Sequence, residues 1–281
     1  MKIKIGVLPS LITLGNLMAG FAAIGVTAQA QLYWKVNEPE MAFKSFAMAG
    51  GLILLAMVFD ALDGKVARLA NATSEFGAQL DSLCDIVSFG VAPAAIVFLE
   101  AASRDLFGHY WYIWVCTVLY ATCAALRLAR FNVDIVHDRE AGVSEEETHM
   151  YFRGLPTPAA AGVIASLAIF EWRIEEAAPW AARTMPYACV VLAGLMVSRI
   201  RYVHLLNLVF HARASFTYFA AVIFCFFTLL ALPLHYEYVL LAGFTGYVLS
   251  GPVMFACDHA RHRVRVRRRG DDEEDDETAL F

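Results

Sequence analysis

The fold and the site both follow from the stretch between Val58 and Gly90, which reads VFDALDGKVARLANATSEFGAQLDSLCDIVSFG. Most of this stretch is apolar enough to lie in a membrane, yet it contains four aspartates, namely Asp60, Asp63, Asp81 and Asp85. A charged side chain within a membrane helix costs about 2.5–3.5 kcal/mol on insertion scales, so such groups mostly face a bundle interior or a watery cavity. Four carboxylates in this setting indicate a site for divalent cations.

The spacing of the aspartates predicts that they converge. Asp60 and Asp63 are three residues apart, and Asp81 and Asp85 are four apart, so each pair lies on one face if its segment is helical. Two such helices side by side form an oxygen-rich pocket. Oxygen ligands of this kind suit hard cations such as Mg²⁺, Mn²⁺ or Ca²⁺, and Mg²⁺ is commonly bound by a few carboxylates together with substrate phosphates.

Two glycines and an arginine accompany the carboxylates. Gly64 follows Asp63 directly, and Gly77 precedes Asp81 by four residues; glycine lets a backbone or a ligand approach a helix closely. Arg68 lies one turn beyond Gly64, and a guanidinium is a natural partner for a phosphate oxygen. Carboxylates, glycines and arginine together predict a site for a metal-bound diphosphate.

The composition predicts an integral membrane protein of the all-α class, a polytopic helix bundle. Of the 281 residues, 59% are hydrophobic and 17% charged, with a mean hydropathy of +0.55, whereas about a quarter of a soluble domain is charged. Eight apolar stretches predict membrane spans of about 20 residues each. They run over Leu11–Gln31, Phe46–Leu69, Phe76–Leu99, Trp111–Phe131, Thr157–Glu171, Ala181–Ser198, Phe216–Leu234 and Tyr238–Cys257.

Basic residues predict the orientation. With the N-terminus inside, the cytoplasmic side collects most of the lysines and arginines, while the outer side holds only Lys35, Lys44, Arg104, Arg173 and Arg183. We therefore expect a multi-pass protein of the cell (inner) membrane with its aspartates near the cytoplasmic face. A water-soluble substrate would reach them from the cytosol, and a lipid from the inner leaflet.

The two ends of the chain have different predicted roles. The stretch Leu8–Ala30 is too long and too polar at Thr13 and Asn16 for a signal peptide, and we expect it to form the first membrane helix. Residues 1–257 are predicted to be one membrane-embedded catalytic domain. Residues 258–281 are predicted to be a disordered cytoplasmic tail, in which RHRVRVRRRG lies near anionic headgroups and DDEEDDE is solvated.

A family resemblance appears once the central run is written as D-x2-D-G-x2-A-R-x8-G-x3-D-x3-D. Its fixed positions are Asp60, Asp63, Gly64, Ala67, Arg68, Gly77, Asp81 and Asp85. This run resembles the signature of the CDP-alcohol phosphatidyltransferases, membrane enzymes that move a phosphatidyl or related group between CMP and an alcohol. Further stretches resemble the serine-accepting branch of that family: LPSLITLGNLMAGF at 8–21, DSLCDIVSFGVAPA at 81–94, RLARFN at 127–132, FRGLPTPAAAG at 152–162 and LMVSRIRY at 195–202.

The resemblance implies a six-helix catalytic core that binds two divalent ions, Mg²⁺ or Mn²⁺. Asp60, Asp63 and Asp81 would be metal ligands, and Asp85 would be both a ligand and the general base on the incoming hydroxyl. For the CDP-lipid, the resemblance implies that glycines leave room for the cytidine, that an arginine holds the phosphates, and that residues of the first helix line the cavity. These residues are Gly64, Gly77, Arg68, Ser74 (as a donor to the nucleotide), Thr13 and Asn16.

The implied reaction converts CDP-diacylglycerol and L-serine to phosphatidylserine and CMP. The carboxylate of serine requires a cationic site, for which we expect Arg130 and Arg153 first, then Arg127 and Arg199, with Asn132 completing the pocket. The predicted partners are therefore CDP-diacylglycerol, L-serine and membrane lipids, with no nucleic acid. Because proteins of this kind are often homodimeric, a homodimer is also expected.

Other interpretations of the same residues stay open at this point. Intramembrane aspartates also occur in ion-coupled transporters, although a transporter does not require Gly64, Arg68 and Gly77 at these spacings. The metal site alone does not distinguish serine from glycerol 3-phosphate, inositol phosphate or choline as the acceptor. Arg68 also fits a snorkelling side chain, and Ser74 also fits the N-cap of the following helix.

Overall fold

The computed structural model describes residues 3–69, 74–104, 110–140, 151–174, 178–203 and 236–278, and these are almost entirely helical. The helices are α1 (Ile3–Lys35), α2 (Pro39–Leu69), α3 (Glu75–Asp85), a π-helical segment (Ile86–Val91), α4 (Ala92–Ser103), α5 (Tyr110–Glu140), α6 (Thr157–Arg173), α7 (Ala178–Val197) and α8 (Tyr236–Thr278). Two short strands, β1 (Tyr151–Arg153) and β2 (Arg201–Val203), pair antiparallel. The predicted all-α class is confirmed, apart from this strand pair.

Within the described residues, five helices are long and apolar enough to cross a membrane. They cover Pro9–Lys35, Pro39–Ala67, Phe76–Ser103, Trp111–Asp134 and Tyr236–Cys257, and a shorter apolar helix covers Ala182–Val197. Of the eight predicted spans, the one at Phe216–Leu234 lies outside the described residues. The predicted count of eight is therefore not confirmed, whereas the polytopic helix bundle is.

Helices α1 and α2 form an antiparallel hairpin around a tight turn. Asn37 in that turn has a φ of +62°, a left-handed conformation that asparagine tolerates better than most residues. The hairpin places the middle of α1 beside the second half of α2, where Gly15 faces the ring of Phe59. As a result, Thr13 and Asn16 lie level with the first aspartate pair.

Helix α6 lies at the centre of the bundle. Every residue from Ala159 to Glu171 is buried, and a helix that is apolar on all sides is expected to be enclosed by others. Helix α2 comes so close that a side chain at Gly50 would collide with the carbonyl group of Ala165. With 17 residues, α6 is shorter than the spanning helices around it.

The strand pair joins the start of α6 to the end of α7. Phe152 is opposite Tyr202, and the N–H of Gly154 donates to the carbonyl of Ile200 at 2.8 Å. Gly154 has a φ of +88°, which favours glycine over any residue with a Cβ. The Tyr202 hydroxyl donates to the carbonyl of Val248 at 3.1 Å, which fastens α8 to the pair.

Helix α8 continues past the predicted domain boundary at residue 257 and ends at Thr278. The side chains beyond Cys257 lie outside the described part of the chain. A separate disordered tail over residues 258–281 thus stays a prediction.

Candidate active site

Carboxylates from α2 and α3 meet at one end of the bundle. One oxygen from each of Asp60, Asp63 and Asp81 lies within 4.8 Å of the others. This convergence follows from the sequence spacing, because residues three or four apart share one face of a helix. The predicted meeting of the two helices through their acidic faces is therefore present in the structure.

Two oxygens of this cluster, one on Asp63 and one on Asp81, have no hydrogen-bond partner among the residues that the structure describes. Asp63 is 5% exposed, and its Oδ2, like Oδ1 of Asp81, is buried without a hydrogen-bond partner. Carboxylates this close repel one another, and an unpaired buried charge is unfavourable. A donor set made only of carboxylate oxygens fits a hard divalent cation such as Mg²⁺ or Mn²⁺. The cluster thus has both the atoms and the unmet charge that a metal site requires.

Asp85 stands beside this group of three, at the last residue of α3. It is 7% exposed, and its Oδ1 accepts a hydrogen bond from Nδ2 of Asn16 at 2.9 Å. The sequence interpretation placed Asn16 in the CDP-lipid cavity, whereas the structure gives it a direct bond to an aspartate. The additional role of Asp85 as a metal ligand stays a prediction.

Arg127 of α5 provides positive charge next to the carboxylates. Its side chain is buried, its Nη1 donates to the hydroxyl of Thr157 at 3.0 Å, and it lies close enough to attract the carboxylates of Asp85 and Asp60. Thr157, at the start of α6, was not singled out by sequence reasoning. The contact spans 30 residues of sequence, so no local pattern signals it.

Asn132, also on α5, contacts helix α3 next to the acidic cluster. Its Nδ2 lies 3.0 Å from the Oγ of Ser82, and Ser82 is the residue after Asp81. The structure therefore brings the predicted acceptor-pocket residue Asn132 next to the acidic helix α3. Ser82 was missed, although its position beside a signature aspartate is a usable signal.

The other residues predicted for the acceptor pocket are placed differently. Arg130 is partly exposed, and its Nε lies 4.0 Å from Oδ2 of Asp134 one turn away. Arg199 is exposed after α7. Arg153 lies in β1, but its side chain is outside the described residues. Arg127 is therefore the arginine that the described part of the chain brings into contact range of the aspartates.

The residues predicted for the CDP-lipid line the same end of the bundle. Thr13 is buried beside Asp63 and donates to the carbonyl of Pro9 at 3.0 Å. A Cβ at Gly64 would meet open space. The hydroxyl of Ser74 accepts from the N–H of Gly77 at 3.0 Å, so Ser74 is the N-cap of α3. The predicted nucleotide contact of Ser74 remains a prediction.

Arg68 is in the last turn of α2, and its side chain lies outside the described residues. Its contact with the phosphates stays a prediction.

An α-helical membrane bundle with clustered carboxylates from two adjacent helices and a buried arginine beside them has the groups needed by a metal-dependent enzyme that acts on phosphate esters. Comparison with known families agrees with this class. Residues 6–191 match the model of the CDP-alcohol phosphatidyltransferase family. The chain belongs to this family, and the matched region contains the whole acidic cluster.

Individual relatives include proteins named CDP-diacylglycerol--serine O-phosphatidyltransferase. The protein of Mycobacterium leprae is 32% identical over 201 residues, covering 70% of this chain and 58% of the relative. That of Helicobacter pylori is 35% identical over 158 residues, covering 56% of this chain and 61% of the relative. That of Saccharomyces cerevisiae is 43% identical over 119 residues, covering 41% and 39%. The chain thus spans about half the length of the curated relatives it matches.

Proposed function

We propose that this protein transfers a phosphatidyl group from CDP-diacylglycerol to the hydroxyl group of L-serine and releases CMP, and is thus a phosphatidylserine synthase. The observation that carries the proposal is the convergence of Asp60, Asp63 and Asp81, with Asp85 and Arg127 beside them. The names of the relatives from bacteria and yeast favour serine as the acceptor. Membership in the family favours an enzyme over an ion-coupled transporter.

The acidic cluster is proposed to bind two divalent cations, Mg²⁺ or Mn²⁺. Asp60, Asp63 and Asp81 would hold them, with Asp85 near the second. Cations bound there would supply charge neutralisation for the diphosphate and for the departing CMP. The unpartnered buried oxygens of Asp63 and Asp81 support this assignment.

Asp85 is proposed to be the general base. The serine oxygen forms a bond to the β-phosphorus while the bond from that phosphorus to the bridging oxygen breaks, and CMP leaves with the bonding electron pair. The hydroxyl proton passes to the Asp85 carboxylate. A serine hydroxyl needs such a base within hydrogen-bond reach, and the burial of Asp85 at the edge of the cluster supports this role.

Arg127 is proposed to bind the carboxylate of serine. It is buried, is held by Thr157, and lies next to the proposed base, so an amino acid bound there would bring its hydroxyl towards Asp85. Asn132 and Ser82 offer oxygens to the ammonium group. Arg130 and Arg153 are retained as an outer part of this pocket. Gly64, Gly77, Arg68, Ser74 and Thr13 are retained for the CDP-lipid.

The active site is proposed to face the cytoplasm from the inner membrane. The excess of lysine and arginine on that side of the predicted topology supports this orientation. A homodimer stays a prediction from the family resemblance.

One assay tests the proposed reaction. Purified protein in detergent receives CDP-diacylglycerol, Mg²⁺ or Mn²⁺, and either serine or one of the rival acceptors glycerol 3-phosphate, inositol phosphate and choline. We expect CMP release that depends on serine and on the divalent cation. Absence of CMP with every acceptor would refute the proposed enzymatic activity. CMP release with glycerol 3-phosphate alone would refute the assignment of serine as the acceptor.

A further inference from the structure

Asp85 lies where the helix changes its winding. It ends α3, and the following segment Ile86–Val91 is π-helical, with the N–H of Ala92 bonded to the carbonyl of Val87 five residues earlier. Such a segment places an extra residue in the turn and interrupts the regular α-helical hydrogen-bond pattern. Segments of this kind are frequently found at functional sites. The position of this segment, directly after the proposed base, therefore requires an explanation.

The π-helical segment changes which residues share a face. Buried pairs recur every four residues from the acidic cluster to the far end of α4. They are Cys84 and Asp85, Ser88 and Phe89, Ala92 and Pro93, Ile96 and Val97, and Glu100 and Ala101. In a regular α-helix, residues four apart are displaced by about 40° around the axis. A set of buried pairs with this repeat would therefore wind around the helix instead of staying on one face. The wider π turn offsets part of the drift and keeps Asp85 on the buried face.

Neighbouring helices hold the π-helical segment in place. The hydroxyl of Ser88 donates to the backbone carbonyl of Asn16 on α1 at 3.0 Å. On the other side, the hydroxyl of Tyr120 on α5 donates to the carbonyl of Phe89 at 3.0 Å. At Gly20, a Cβ would collide with Ser88, so α1 approaches the segment at backbone distance. Contacts with two helices thus fix the segment that follows Asp85.

Asn16 connects this arrangement to the carboxylate itself. It is 0% exposed, and its Nδ2 donates to Oδ1 of Asp85 at 2.9 Å. The amide orientation is set by the carboxylate, because the amide oxygen would repel it. A neutral donor restrains Oδ1 of Asp85 and adds no second positive charge to that of Arg127 nearby.

We propose that Asn16 is a positioning residue for Asp85: the amide holds Oδ1, the π-helical segment presents the carboxylate to α1, and Oδ2 is left for the serine hydroxyl. This inference rests on the proposed function, since it assigns Asn16 to the base of that reaction. It differs from the interpretation of Asn16 as a CDP-lipid contact. Loss of a positioning residue lowers turnover, whereas loss of a ligand contact weakens CDP-lipid binding.

The test compares Asn16→Leu, which removes the donor at similar volume, with Asn16→Gln, which keeps an amide. Thr27→Val is the matched control, since Thr27 is also buried on α1 but donates to the carbonyl of Ala23. The measurements are kcat, KM for both substrates, thermal unfolding in detergent, and equilibrium binding of CDP-diacylglycerol without serine. For Asn16→Leu we expect kcat to fall roughly 10- to 100-fold, a part of the contribution of a general base, with CDP-diacylglycerol affinity unchanged.

We expect Asn16→Gln to recover part of the lost kcat, and Thr27→Val to behave like the wild type. An unchanged kcat, or weaker CDP-diacylglycerol binding that accounts for the whole loss, would overturn the proposal. A second measurement covers the case in which Asn16→Leu lowers the amount of folded protein. In an Asp85→Asn background, Asn16→Leu should cause no further loss of kcat, because the group that it positions is absent; an additive loss would overturn the proposal.

Asp85→Asn alone separates this inference from the proposed function. Strong loss of turnover with retained CDP-diacylglycerol binding is expected of the base. Wild-type turnover by Asp85→Asn would refute the assignment of the base itself, whatever the result for Asn16.

Discussion

The Nη1 of Arg127 donates to the hydroxyl of Thr157 at 3.0 Å, and both side chains are buried next to the acidic cluster. Thr157 therefore fixes the direction of the guanidinium that is proposed to bind the serine carboxylate. A hydrogen bond to a charged group contributes about 1.5–3 kcal/mol. Pro156, the residue before Thr157, precedes the first turn of α6. Thr157 is therefore held on a rigid element.

Replacing Thr157 by valine should raise the KM for serine. Valine keeps the shape but removes the hydroxyl, so the guanidinium loses its restraint, and we expect an increase of roughly tenfold from the bond energy above. Thr157→Ser keeps the hydroxyl and should stay near the wild type. Steady-state kinetics with each substrate varied in turn measures both. If Thr157→Val raised only the KM for CDP-diacylglycerol, Arg127 would belong to the lipid site instead.

Gly64→Ala should weaken the binding of CDP-diacylglycerol without lowering the stability of the fold. A Cβ at Gly64 meets open space, and alanine is the better helix former, so the free energy of unfolding should not fall. If the cytidine occupies that space, the methyl group should raise the KM for CDP-diacylglycerol. Gly51→Ala is the matched control, because Gly51 is also in α2 with open space around it. Equal kinetics for the two variants would contradict the placement of the nucleotide at Gly64.

Arg104→Met should destabilise the end of the bundle opposite the acidic cluster. Arg104 pairs with Glu100 at 3.2 Å and with Glu171, and all three side chains are buried. Its guanidinium also lies 4.5 Å from the centre of the Phe43 ring. Removing one partner of a buried ion pair costs about 3–5 kcal/mol, because it leaves uncompensated charge.

Thermal unfolding in detergent measures this loss. Arg130→Met is the control, since Arg130 and Asp134 are 36% and 48% exposed and lie 4.0 Å apart, and exposed pairs contribute little. We expect a clear drop in the midpoint of thermal unfolding for Arg104→Met and little change for Arg130→Met. Similar midpoints for both variants would show that Arg104 is not a stabilising centre. Turnover per folded molecule should remain, because this cluster is remote from the aspartates.

Gly154→Ala should destabilise the strand pair. Gly154 has a φ of +88°, and a Cβ there would collide with the carbonyl of Met196. Gly194→Ala provides the contrast, because Gly194 is helical with open space around it. Alanine at this position should stabilise the folded protein by about 0.5–1 kcal/mol. The midpoints of thermal unfolding of the two variants should therefore move in opposite directions. A wild-type midpoint for Gly154→Ala would mean that this turn relaxes without cost.

The sequence predicted what depends on local spacing and hydropathy. The aspartate pairs converge because their separations match a helical face, and the long helices follow from continuous apolar stretches. Contacts between distant segments were not predictable in this way. Nothing local links Arg127 to Thr157 or Asn16 to Asp85, and Arg104 was expected in an outer loop, whereas its partner Glu171 buries it.

The π-helical segment also escaped prediction. Its residues IVSFGV carry no proline and fit an ordinary apolar helix, so the extra residue is set by packing against α1 and α5. The strand pair is similar, because each strand has only three residues and their pairing brings together segments that are far apart in sequence. Both features depend on tertiary structure and not on local propensity.

The most direct test of the central claim is to measure Mn²⁺ binding by the purified protein with and without CDP-diacylglycerol. The electron paramagnetic resonance signal of free Mn²⁺ reports how much of the ion is bound. The acidic run Asp271–Glu277 also attracts cations, so the decisive quantity is the binding that CDP-diacylglycerol adds. We predict a clear lipid-dependent gain in the wild type and in Glu40→Gln, an exposed carboxylate elsewhere, and its loss when Asp60 and Asp81 are both replaced by asparagine. An undiminished gain in that double variant would contradict a metal site formed by α2 and α3.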